Sequence, residues 1–139
     1  MELAAQVQRL FLPPGKPAIP GLEIAGMMHP ARGVGGDYYD HFPIDAHTTQ
    51  VIIADVTGKG IRAALLMSAA AMRLEANHDR SMIEQVERLN TGIHSVSDAD
   101  RFVTLFVAEI YSQKRKMRYV NCGHNPALLF RAKTGALPS

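Results

Sequence analysis

The order of apolar and polar residues divides this chain of 139 residues into short segments with helical or strand periodicity. Apolar residues at helical spacing predict a first helix over Glu2–Phe11. A Pro-Pro-Gly sequence at positions 13–15 ends it, and the segment through Gly21 is predicted to be extended. We therefore interpret residues 1–12 as an N-terminal linker helix that precedes the main body of the domain.

A group of strands is predicted after this segment, the first of them from its alternation with a period of two residues. The hairpin-length connection at 45–48 and the other short turns favour an antiparallel meander. The three strands of this group are predicted at Leu22–Met28, Tyr38–Ile44 and Val51–Ala54.

Two helices are predicted next. Ile61–Asn77 is apolar nearly all round, which is typical of a buried helix. Ser81 stands three residues before Glu84, a capping box that begins an amphipathic helix extending to Val96. Further strands are predicted at Phe102–Tyr111, Met117–Cys122 and Ala127–Arg131.

Strands and helices that occur in groups predict an α+β fold rather than an alternating parallel one. Phe102–Tyr111 is apolar on both faces, so we expect it to be a central, covered strand. The length suits a single domain over residues 1–139, and an apolar fraction of 47% is sufficient for a core.

Charge and cysteine content exclude several classes of protein. The net charge is +2 and the basic residues are scattered apart from a cluster at 114–118, so nucleic-acid binding is disfavoured. Cys122 is the only cysteine, which rules out an intrachain disulfide and fits a reducing compartment. The longest apolar run, Ala63–Met72, is about half of what a membrane span requires. We expect a soluble, cytoplasmic protein.

Candidate chemistry lies in two glycine-rich motifs, GGDYYD at 35–40 and DVTGKG at 55–60. Each places an aspartate, Asp37 or Asp55, where a predicted strand meets a turn. Carboxylate oxygens are hard donors that suit Mg²⁺ or Mn²⁺. We expect the two side chains to meet at neighbouring strand ends and to face a shared cation.

The second motif has two simpler interpretations. Gly58, Gly60 and Ala63 match the spacing of a dinucleotide fingerprint, but the next predicted element is a helix rather than the required strand. Alternatively, Asp55 is only favoured by the dipole of the following helix. That interpretation leaves the first motif, with Asp37, unexplained.

Together with RFVTLF at 101–106 and NCGHNP at 121–126, these motifs resemble the metal-dependent (PPM) serine/threonine phosphatases. The resemblance is to the bacterial branch of stage II sporulation E and sigma-factor regulatory phosphatases, and it runs in the same order over residues 3–131. It implies a layered α-β-β-α sandwich, in which two antiparallel sheets are flanked by helices. It also implies an active site with two Mn²⁺ or Mg²⁺ ions.

The resemblance assigns roles to individual residues. Asp37 and Asp55 correspond to side-chain metal ligands, and Val56 to a ligand through its main-chain carbonyl. No side-chain nucleophile is expected, because a metal-activated water would hydrolyse the phosphoserine or phosphothreonine. Substrate-binding roles are expected for three further residues, Arg32, Gly36 and Lys59.

Some of these roles have open alternatives. Arg32 either grips the phosphoryl group or is a surface arginine on a turn, and Lys59 either orients its loop or is solvated. NCGHNP at 121–126 is interpreted as a structural turn.

The family domain usually continues beyond Ser139 and carries further aspartate ligands there. We therefore expect a C-terminally truncated domain with a half-built metal site and little phosphatase activity of its own. The alternative is a noncatalytic protein-interaction module on a degenerate phosphatase scaffold. Expected partners are a phosphorylated regulatory protein of the anti-sigma-factor-antagonist type, an upstream sensor domain, and a second copy in a homodimer.

Overall fold

The computed structural model describes residues 2–29, 33–97, 100–133 and 135. None of the helices in this part of the chain is long and apolar enough to cross a membrane. The helices are α1 (Glu2–Arg9), α2 (Ile61–Ala76) and α3 (Met82–His94), and the strands are β1 (Asp37–Asp45), β2 (Thr48–Val56), β3 (Val103–Tyr111) and β4 (Lys116–Cys122).

The four strands form one antiparallel sheet in the order β1-β2-β3-β4. The predicted α+β class is confirmed, and β3 is a central strand as expected. The described residues build a single sheet with helices on one face, so they supply one sheet of the sandwich that the resemblance implies.

The core lies between the helices and one face of this sheet, here called the inner face. Side chains at alternate positions of β1, β2 and β3 point into it, and α2 and α3 cover them. Burial of α2 is confined to one side, because Leu65 and Met72 are largely exposed. The prediction that this helix is buried all round was therefore wrong. The core residues include Tyr38, Ile52, Val56, Met67, Leu74, Leu89, Leu105 and Val107.

Two predicted strands are absent from the described residues. Leu22–Met28 forms only an isolated bridge, between Ile19 and Leu22, and Ala127–Arg131 is irregular apart from its last residue. Gly26 lies against the ring of Tyr39, where an added Cβ would be 2.2 Å from a ring carbon. Alternation in this segment therefore reflects packing on the other, outer face of the sheet, around a cavity of about 900 Å³, and not pairing with a strand.

Helix α1 buries a different face from the one that its apolar pattern predicts. Leu3 and Val7 are exposed, whereas Ala5 and the polar Gln8 are buried. Ala5 packs with Val34 and with the first turn of α2. The linker helix is thus packed through the small residue Ala5 and through Gln8, and not through its large apolar residues.

The capping box at the start of α3 is confirmed. The Ser81 hydroxyl accepts from the Glu84 amide at 3.3 Å, and the Ser81 amide donates to the Glu84 carboxylate at 3.2 Å. The Ser81 hydroxyl also donates to the Glu84 carboxylate at 2.8 Å, and this bond, followed by the one from the Ser81 amide, holds the pKa of Glu84 below its ordinary value. The local sequence therefore fixes the point at which this helix begins.

Replacing the capping serine should destabilise the fold. We expect Ser81→Ala to cost about 1 kcal/mol, because the first turn of α3 loses a hydrogen-bond acceptor. Urea denaturation followed by circular dichroism would measure this loss. Ser81→Thr keeps the hydroxyl and should stay near wild type. Equal losses for both variants would contradict a capping role.

Candidate metal centre at the sheet edge

The two candidate aspartates lie side by side at one end of the sheet. Asp37 is the first residue of β1, and it pairs directly with Asp55 near the end of β2. Side chains of directly opposed residues share one face of a sheet. Here that face is the outer one, and both residues are exposed.

The closeness of these carboxyl groups appears in their electrostatics. The pKa of Asp55 is raised, first by partial loss of hydration, and then by the negative charge of Asp37 and a hydrogen bond with it. The neighbouring His124 ring acts in the opposite direction and lowers the pKa of Asp55. Two carboxylates held this close repel each other, and a bound cation would offset that repulsion.

Gly36 packs closely against Val56, the residue that follows Asp55. The Val56 amide donates to the Gly36 carbonyl at 3.1 Å, which extends the β1–β2 pairing beyond the aspartates. A Cβ added at Gly36 would lie 2.6 Å from the Val56 carbonyl oxygen, closer than real Cβ contacts come. Glycine is therefore required for this close approach of the two backbones.

The donor set at this edge consists of hard oxygens. The donors that the resemblance implies here are the carboxylates of Asp37 and Asp55 and the carbonyl of Val56. Oxygen donors of this kind match Mg²⁺ and Mn²⁺, so the residues present fit the ion that the resemblance implies. The described part of the chain contains no cluster of three or more His, Cys, Asp or Glu side chains suited to a metal.

The loop between β2 and α2 is tied to the start of β3. The Thr57 amide donates to the Phe102 carbonyl at 3.0 Å, and the Thr57 hydroxyl accepts from the Phe102 amide at 3.0 Å. Gly58, with φ of 101°, bends this loop, in which Lys59 is exposed. Arg32 lies outside the described residues. The substrate-binding roles of Lys59 and Arg32 stay predictions.

Gln8 connects the linker helix to the first motif. Its side-chain amide donates to the Gly35 carbonyl at 2.6 Å and accepts from the Gly35 amide at 3.0 Å. Gly35 is two residues before Asp37, so the position of α1 and that of the candidate ligand are mechanically linked. Sequence reasoning missed this contact, because an amide on a helix has no periodic signal.

Thr104 and His124 were also missed as neighbours of the aspartate pair. Thr104 lies opposite Asp55 on β3, and its hydroxyl donates to the Asp55 carbonyl at 3.3 Å. His124 follows β4, and its Nδ1 is 2.8 Å from the Thr104 hydroxyl. The turn predicted around His124 is present, but it also brings a titratable ring to the candidate centre.

The sheet with its helical layer, and the paired aspartates at its edge, define a PPM-type phosphatase scaffold. The profile of the family described as Stage II sporulation protein E (SpoIIE) matches residues 45–138. The chain belongs to this family, and the predicted sigma-regulatory phosphatase branch is confirmed.

One relative in particular agrees with this assignment. Phosphoserine phosphatase RsbU of Bacillus subtilis is 33% identical over 135 residues, which cover 96% of this chain and 40% of RsbU. The chain thus spans less than half the length of that relative.

Two solved structures share the fold. The structure of the RsbU and RsbW domains of Rv1364c from Mycobacterium tuberculosis gives a TM-score of 0.66 at 24% identity, covering 73% of this chain and 29% of that one. The SiaA-PP2C domain of Pseudomonas aeruginosa gives 0.64 at 18% identity, covering 86% and 51%.

Proposed function

We propose that this chain supplies one half of the metal centre of a phosphoserine and phosphothreonine phosphatase that acts on a regulatory protein of the anti-sigma-factor-antagonist type. The observation that carries the proposal is the direct pairing of Asp37 with Asp55 on adjacent strands. RsbU is a phosphoserine phosphatase, and its similarity over nearly the whole chain supports the reaction class.

The chain's own residues would hold and orient a divalent ion. Asp37 and Asp55 would ligate it through carboxylates and Val56 through its carbonyl, while Gly36 keeps the space beside that carbonyl open. The contacts between Thr57 and Phe102 fix the loop that follows. When bound, the ion supplies a Lewis acid that promotes attack by water and offsets charge on the phosphoryl oxygens.

Substrate contacts would come from cations near this edge. Arg32 directly precedes the first motif and would grip the phosphoryl group by a bidentate contact. Lys59, exposed in the loop after the second motif, would add a point charge. Both roles belong to the proposal.

The centre is incomplete within these residues on this proposal. Mg²⁺ requires near-octahedral coordination, and Asp37, Asp55 and Val56 supply three of about six ligands. Water would fill the remaining positions, so affinity should be low. We expect little turnover of a phosphoserine peptide by this polypeptide alone. Robust Mn²⁺-dependent turnover by these 139 residues would contradict that expectation.

Calorimetric titration with Mn²⁺ tests the proposed ligands. Asp55→Asn should raise the dissociation constant by about tenfold or more, because removal of mere outer partners of a metal already costs roughly 10–100-fold. Asp79→Asn is the matched control, since Asp79 is exposed between α2 and α3. Unchanged heats for Asp55→Asn would remove this residue from the ligand set. Absence of any Mn²⁺ heat from the wild-type chain would favour the noncatalytic interaction module instead.

A further inference from the structure

Polar residues continue from the aspartate pair across the sheet. Asp37 on β1 faces Asp55 on β2, and Asp55 faces Thr104 on β3. His124, just after β4, contacts the Thr104 hydroxyl through Nδ1 at 2.8 Å. A row of hydrogen-bonding side chains thus reaches from the first strand to the segment after the fourth. Neither the family assignment nor the proposed metal ligands account for its second half.

His124 is held in place by a closed turn. The Asn121 side chain accepts from the His124 amide at 2.8 Å and donates to the His124 carbonyl at 3.1 Å. Between them, Gly123 has φ of 70°, in the left-handed region that favours glycine. The backbone on both sides of the imidazole is therefore fixed, and the ring is half-buried against Thr104.

Both contacts of the Thr104 hydroxyl can be hydrogen bonds at once in one tautomer of His124. The Thr104 hydroxyl has one hydrogen, which it donates to the Asp55 carbonyl at 3.3 Å. For the 2.8 Å contact to be a hydrogen bond as well, His124 Nδ1 must carry a hydrogen and donate it to Thr104. A chain of donors then leads from the imidazole through the threonine to the Asp55 peptide.

That peptide joins two of the proposed ligands. Its carbonyl belongs to Asp55, and its amide belongs to Val56, so its orientation affects both the carboxylate and the next carbonyl. On the β1 side, the Val56 amide of this peptide donates to the Gly36 carbonyl at 3.1 Å. The contact from Thr104 restrains it from the side opposite Asp37.

We propose that His124, acting through Thr104, is a positioning residue that fixes the Asp55–Val56 peptide for divalent-ion binding. This inference rests on the proposed function. It assigns the NCGHNP motif a role at the metal centre in addition to its turn.

Substitution of His124 by asparagine or by glutamine distinguishes a role of Nδ1 from a role of Nε2. The side-chain amide of asparagine reaches the position of Nδ1, whereas that of glutamine reaches the position of Nε2. We expect His124→Asn to retain Mn²⁺ affinity close to wild type, and His124→Gln and His124→Ala to lose about tenfold, as for other partners that orient a ligand. Calorimetry measures the affinities. His47→Asn, at the opposite end of the β1–β2 hairpin, is the matched control and should change nothing.

A double-mutant cycle tests whether the imidazole works through the threonine. Thr104→Val removes the hydroxyl at nearly constant volume and should weaken Mn²⁺ binding as much as His124→Ala does. The double variant should be no weaker than either single one, because both break the same chain of hydrogen bonds. Additive losses would overturn the inference, and so would retention by His124→Gln with loss in His124→Asn.

Metal-free NMR separates failure of this inference from failure of the proposed function. In the apo protein, His124→Gln should shift the amide resonances of Asp55 and Val56, and His124→Asn should shift them much less. If wild type binds no Mn²⁺ but this pattern holds, the proposed function fails, while the link from His124 through Thr104 to the Asp55–Val56 peptide stands. If wild type binds Mn²⁺ and every His124 variant binds equally, the positioning role alone is overturned.

Discussion

Gly36→Ala is expected to destabilise the fold and to weaken Mn²⁺ binding at the same time. The added Cβ would lie 2.6 Å from the Val56 carbonyl oxygen and 3.1 Å from the Val56 Cβ. Val56 is fully buried, and β2 is flanked by β1 and β3, so this backbone has little freedom to move away. Overpacking of this kind costs typically about 1–3 kcal/mol. Urea denaturation and Mn²⁺ calorimetry on the same preparation would measure both effects.

Gly92→Ala is the matched control for this clash. Its added Cβ would also overlap a neighbour, at 2.0 Å from Arg73 Nε, but that neighbour is the flexible end of a side chain. Because Gly92 is inside α3, alanine there also gains roughly 0.5–1 kcal/mol of helix propensity. We expect a small net change in stability and unaltered Mn²⁺ binding. Equal behaviour of the two variants would show that the Gly36–Val56 approach has no special role.

Local signals in the sequence predicted the parts of the fold that depend on local chemistry. The capping box of Ser81 and Glu84 located the start of α3, and alternation or short apolar runs bounded by turns located β1, β2, β3 and β4. Leu22–Met28 has the same alternation but no strand beside it, and periodicity does not indicate whether a partner exists. A strand requires a hydrogen-bonded neighbour. The strand predicted at Leu22–Met28 was wrong because the presence of that neighbour depends on tertiary structure, which local periodicity does not show.

The two aspartates of the candidate site could be predicted from local sequence, whereas their neighbours from other elements could not. Asp37 and Asp55 stand out because glycines surround them and because each follows or precedes a strand. Their partner Thr104 depends on the register between β2 and β3, which no local pattern encodes. Gln8 reaches Gly35 across 27 positions. Metal ligation by the aspartates, the homodimer and the upstream sensor domain stay predictions.

The two neighbouring carboxylates of Asp37 and Asp55 should destabilise the folded chain until a cation binds between them. The pKa of Asp55 in the folded chain is raised by lost hydration and by Asp37. Its value in the unfolded chain is about 3.9. Between these two pKa values the folded chain therefore binds more protons than the unfolded chain does. The contribution of Asp55 to the free energy of unfolding is therefore most favourable below the pKa of the unfolded chain. It is lost as the pH rises through the pKa of the folded chain.

Asp55→Asn should accordingly stabilise the metal-free chain at neutral pH. We expect a higher urea midpoint than wild type in EDTA at pH 7, and no gain at pH values below about 3.9, where the wild-type carboxyl is protonated in both states. Saturating Mn²⁺ should reverse the order, because a ligand at a hundred times its dissociation constant adds about 2.7 kcal/mol to the protein that binds it. Asp79→Asn, with the same loss of charge at an exposed site, should show neither effect. A lower midpoint for Asp55→Asn in EDTA would mean that its carboxylate is a structural group rather than one held in readiness for a cation.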